Sequence, residues 1–184
     1  MEPNFHALQL IAELALGIVG FSAILISLSR SSDGFSSPDN FRIQLLTYSA
    51  FGAMFGALLP FAIFSDRNLE LAWLISCWIM CIYSVMGLLV FPRKMLLLRK
   101  QGHKEIFPIK VYFFQTSILS AIFFISGLMI TGQIVELTNT YVVCLILFLL
   151  QSSVAFIRTM FVRVLWVNIH WATFHRLFFD YSRD

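Results

Sequence analysis

Charge is scarce in this sequence. Asp, Glu, Lys and Arg make up 12% of its 184 residues, where a soluble domain carries about a quarter. That leaves no room for a sizeable solvated domain. Reactive signatures are missing too. There is no P-loop, no GxSxG, no HExxH and no CxxC, so nothing argues for an enzyme, and no cofactor is expected. The four histidines sit in distant segments. His170 and His175 are five apart, a poor match for the i, i+4 pair of a helical metal site, and no metal centre is expected. The three cysteines, Cys77, Cys81 and Cys144, cannot form a closed set of disulfides and read as small packing residues. Internal repeats are absent, and so is any heptad run long enough for a coiled coil. The amino terminus lacks the basic n-region of a signal peptide, so the first apolar helix is expected to be retained.

What is abundant is apolar bulk. Hydrophobic residues make up 59% of the chain and phenylalanine alone contributes 20 positions. The apolar excess falls in blocks about as long as a bilayer is thick, the transmembrane signature. Five spans are expected, over about His6–Ser29, Ile43–Phe64, Leu71–Phe91, Val111–Gly132 and Thr140–Phe161. The chain therefore reads as an all-α integral membrane protein with one transmembrane domain over residues 1–161. The loop "RSSDGFSSPDNFR" is rich in turn formers. The connection "PRKMLLLRKQGHKEIFPIK" is the longest and most basic, and its apolar "MLLL" suits a short amphipathic helix on the membrane surface. The tail, Val162–Asp184, alternates Trp166, Trp171 and Phe174 with Arg163, His170 and Arg176. That pattern favours an amphipathic interfacial helix, with continuation of span five as the competing picture.

The net charge of +3 carries no nucleic-acid message, because the charges sit in the loops, where they report topology. Of the 13 basic residues, all but Arg67 fall on the side of the 30–42 loop, the 92–110 loop and the tail. The positive-inside rule then places the amino terminus outside and the carboxyl terminus in the cytoplasm. A four-span arrangement would break this segregation.

Polar residues inside the spans are costly and so informative. Glu13 lies deep in the first apolar run. His6, Gln9 and Glu13 are spaced three and four apart and share one helix face, continued by Gly17 and Gly20. A face that is polar at one end and small at the other suits contact with protein. Arg67 in the outer link, Gln9 and His6 are candidate partners for the carboxylate. Two roles stand open for Glu13: a hydrogen-bonded tie between helices, or an ion or proton site. In span two, "SAFGAMFGALLP" holds the GxxxG pair Gly52 and Gly56, the signature of close helix contact. Pro60, one turn on, removes a backbone donor and is expected to kink the helix. Cys144, Gln151 and Arg158 fall seven apart near one face of span five. Gln151 is expected to bond another helix and Arg158 to snorkel.

The stretches "IAELALGIVGFSAI", "FGALLPFAIF" and "LLQSSVAFIRTMF" resemble small uncharacterised bacterial multi-pass membrane proteins. The resemblance implies a bacterial inner-membrane setting and carries over no functional residue. Two functions are consistent with these features. One is a non-enzymatic membrane subunit or scaffold, self-associating or bound to another membrane protein. The other is a small oligomeric ion or proton channel or transporter with Glu13 in its polar path.

Overall fold

A backbone in hydrocarbon must satisfy its own N–H and C=O groups, and long apolar runs do so as helices. The computed structural model describes residues 5–29, 37–63, 69–102, 107–134 and 136–179, with only the backbone at 25, 28–29, 69–70 and 160–179. Over these residues the protein is all-helical, without strands. The helices are α1 (Phe5–Ser29), α2 (Ser37–Ile63), α3 (Leu69–Lys100), α4 (Ile109–Ile130) and α5 (Leu137–Phe179). Each contains a stretch long and apolar enough to cross a bilayer.

Three helices, α2, α3 and α5, are longer than the apolar runs alone indicate. α2 begins at Ser37, with Pro38 and Asp39 in its first turn. A proline there loses no helical bond, and an aspartate complements the helix dipole. α3 runs through Pro92 to Lys100, which corrects the expectation of a separate surface helix around "MLLL". The physical reason is packing. Met95 and Leu98 are buried in a cluster with Phe41, Leu45, Phe91 and Phe107. Burying them outweighs the single donor that a proline removes. α3 stops at Gly102, whose φ of +102° suits a residue without Cβ. α4 ends in a Schellman motif: Gly132 N–H bonds Met129 O at 3.2 Å and Gln133 N–H bonds Leu128 O at 3.2 Å, with Gly132 at φ +72°. The backbone of 162–179, expected as an interfacial helix, continues α5 without a break. No glycine or proline occurs between Leu137 and Phe179 to interrupt it. Residues 180–184 of the tail lie outside the described residues.

α2 and α5 form the centre. α2 packs against α1, α3 and α5, and α4 closes the bundle against α3 and α5. Phe5 stacks near Phe61 with ring centroids 4.8 Å apart, so the start of α1 meets the end of α2. The ideal Cβ position at Gly52 meets Phe148, and that at Gly56 meets Leu145 and Tyr141, so α2 and α5 are antiparallel. The main core draws on all five helices, among them Leu8, Ala53, Met80, Ile122 and Leu145. Large side chains such as Leu16, Phe21, Phe113 and Phe124 point outward, as an apolar solvent permits.

Candidate functional site

The sequence of α1 sorts its residues into two faces at helical spacing. Leu8, Ile11, Ala12 and Ala15 turn inward and are buried. His6, Gln9, Glu13, Gly17 and Gly20 turn outward and are exposed. Gln9 Nε2 donates to Glu13 Oε1 at 2.9 Å. The pair borders an open groove of about 370 Å³ between α1 and α2, with Met54, Leu58 and Phe61 as its other wall. A Cβ added at Gly17 or Gly20 would meet nothing within 4 Å. This polar-and-small stripe therefore lies on the outside of the bundle, two turns into a membrane-length helix. Arg67 lies outside the described residues.

The glycines of α2 are in the opposite situation. A Cβ at Gly52 would stand 2.7 Å from Tyr83 Cε1, and one at Gly56 would stand 2.6 Å from Leu145 Cδ2. Tyr83 is held in place by Tyr48. Their rings stack at 4.3 Å and 7°. Tyr83 Oη donates to Tyr48 O at 2.7 Å, and Tyr48 Oη donates in return to Tyr83 O. Pro60 has no N–H to give to Gly56 O, the carbonyl four residues earlier. Tyr141 Oη, from α5, donates to that carbonyl at 2.6 Å.

Gln151 is not part of the α1 stripe. It is fully buried and, with Gln115, lines a small cavity among α2, α3, α4 and α5. Neither its Oε1 nor its Nε2 has a hydrogen-bond partner, and the same holds for Ser49 Oγ, Ser152 Oγ and Arg42 Nε. Following the α2–α5 register from Gly52 and Phe148 toward the start of α2 brings Ser49 level with Ser152, and Arg42 level with Arg158. The unpartnered buried groups of the described residues thus share one half of one helix pair.

That half ends in a cationic cluster. The guanidinium carbons of Arg42 and Arg158 lie 5.5 Å and 5.9 Å from the centroid of the Phe107 ring, within cation–π range. Arg99 Nη1 donates to Phe107 O at 2.7 Å. Arg42, 4% exposed, pairs with Asp39 at 3.4 Å. Sequence reasoning counted Arg42 as a loop charge because it began span two at Ile43. The seven-residue spacing of Gln151 and Arg158 did place a polar line on α5, but nothing local marks Phe107 as its partner.

Cys77, Cys81 and Cys144 are free thiols. Among the described residues, no group of three or more His, Cys, Asp or Glu side chains is placed to share a metal ion. No protein-family model, curated protein or solved structure matches the chain.

Proposed function

We propose that this protein is a non-enzymatic subunit of a bacterial inner membrane that self-associates through the outward face of α1. The observation that carries the reading is Glu13. A charged side chain at the centre of a membrane helix costs roughly 2.5–3.5 kcal/mol on insertion scales; a carboxylate two turns in bears part of that cost, and covering it with another helix removes the exposure. The stripe suits a second copy of itself. It holds donors at His6 and Gln9 and an acceptor at Glu13, so a twofold contact can pair unlike groups. Gly17 and Gly20, open to the outside, allow the close approach that drives helix association without a hydrophobic force. The orientation in this reading, amino terminus outside, rests on charge. Among the described residues, Arg42, Arg93, Lys94, Arg99, Lys100, Lys110 and Arg158 gather at one end of the bundle.

The test is native mass spectrometry after gentle extraction, with Gly17→Leu and Glu13→Leu as variants. Gly17→Leu adds bulk where the chain's own atoms leave space, so the monomer keeps its fold while the oligomer is lost. A wild-type protein that is monomeric, or an oligomer unchanged by both variants, overturns the reading. A stoichiometric foreign subunit replaces the second copy as the partner. An oligomer that passes protons in liposomes, with Glu13→Gln abolishing the flux, replaces the subunit by a channel.

A further inference from the structure

A buried amide needs both a donor and an acceptor, and Gln151 finds neither in the chain around it. It is fully buried, and among the described residues neither its Oε1 nor its Nε2 has a hydrogen-bond partner. It sits eight residues before Thr159, where the apolar stretch of α5 ends, so about 12 Å of helix rise separates it from that end. An unpaired polar group at such a depth costs free energy, and native structures rarely leave one.

The side chain faces a cavity of about 10 Å³, about the least that holds one water molecule. Four helices build its walls. α5 supplies Gln151, α4 supplies Gln115 and Thr116, α3 supplies Pro92, and α2 closes it with Phe41 and Leu45. Gln115 is buried as well, so two amides and a hydroxyl converge on one small space inside the bundle. Pro92 adds a further demand. It has no N–H to give to the carbonyl of Leu88, four residues earlier, and ordered water is one of the means by which membrane helices make good that loss. The two unmet atoms of Gln151 also select the ligand. Oε1 calls for a donor and Nε2 for an acceptor. A metal cation would suit the first and repel the second, and an anion would do the reverse. Water both donates and accepts, and it fits the space.

We propose that Gln151, Gln115 and Thr116 bind one ordered water molecule in the membrane-embedded core, bridging α4 and α5 beside Pro92 of α3. The experiment is water-edited solid-state NMR of the full chain in lipid bilayers, isotopically labelled at glutamine. Magnetisation from water is expected to reach the Gln151 side-chain amide in spite of its burial, and Gln151→Leu identifies the signal by removing it. Gln115→Leu is expected to reduce the transfer to Gln151, because the water loses a partner. Thermal unfolding gives a second readout. Gln151→Leu is expected to lower the midpoint by about 2–4 °C, the loss of one net buried hydrogen bond. A glutamine without a ligand would respond in the opposite sense, since leucine removes two unpaired groups from an apolar setting. Should Gln151→Leu fail to fold, Gln151→Met, closer to glutamine in shape, replaces it in both measurements. Absence of transfer to Gln151 in the wild-type protein overturns the site, and includes the case in which Gln115 and Gln151 pair directly. A raised midpoint in the Gln151 variant overturns it too, and unchanged transfer in Gln115→Leu overturns the bridge.

Discussion

Tyr141 supplies to Gly56 what Pro60 cannot. A proline inside a membrane helix leaves the carbonyl four residues back without its donor, and an unpaired carbonyl in hydrocarbon is costly. The Tyr141 hydroxyl reaches that carbonyl from another helix, so one bond both repairs α2 and ties it to α5. Tyr141→Phe is expected to destabilise the protein by about 0.5–1.5 kcal/mol. Pro60→Ala restores the N–H, so Tyr141→Phe in that background is expected to cost measurably less. A double-mutant cycle in a reversible detergent unfolding assay reads this coupling; additive effects would mean the hydroxyl does not serve the proline gap. The glycines give a second ranking at the same scale. Gly52→Ala drives a methyl into Tyr83, which the stacked and hydrogen-bonded pair with Tyr48 holds still. Gly56→Ala meets the free end of Leu145, which can rotate away. The expected order of cost is Gly52→Ala at about 1–3 kcal/mol, then Gly56→Ala. Gly17→Ala should be neutral or slightly stabilising in the monomer, since it touches nothing and alanine favours helix. Spacing alone singles out Gly52 and Gly56. Which side chains lie against them is not written in spacing, because Tyr83 and Phe148 come from helices whose rotation the pattern leaves open.

At the scale of elements, the five apolar runs are plain in the sequence because bilayer thickness imposes a minimum length on each. The helix ends are harder to see. Pro92, Arg93 and Lys94 in succession imitate a stop signal, yet α3 continues past them. The override comes from the aromatic pair Phe107 and the sequence-distant Phe41, whose rings pack edge-on at 5.3 Å and share a core with Met95 and Leu98. Neighbouring leucines there separate the two descriptions of this segment. Leu98 is 8% exposed and Leu97 is 57% exposed. Leu98→Ala is expected to cost about 2–5 kcal/mol, as for a buried leucine, and Leu97→Ala close to nothing. A helix lying free on the membrane surface would instead treat exchange at either position alike. The cationic cluster was hidden for the same reason. Arg42 and Arg158 are far apart in sequence, and only the antiparallel register of α2 and α5 brings them to one ring.

The whole molecule is asymmetric end to end, and that asymmetry makes its orientation testable. Cations crowd the end where α3 finishes and α4 begins, and the opposite end, where α4 finishes and α5 begins, has Glu136 close to Gln133. Basic residues resist translocation more than acidic ones do, so the crowded end should stay in the cytoplasm. The native thiols provide a quiet background. Cys77 and Cys144 are buried in the bundle and Cys81 is half-buried among apolar side chains, so a membrane-impermeant maleimide should leave the wild-type protein unlabelled in intact cells. Gln101→Cys and Gln133→Cys place a thiol at exposed positions just beyond α3 and α4 respectively. Gln133→Cys is expected to react in intact cells, and Gln101→Cys only after the membrane is opened. The reverse pattern would put the arginine cluster in the outer leaflet and would break the link between cation count and orientation. Labelling of both in intact cells would mean that α4 does not cross, contrary to its 22-residue apolar length.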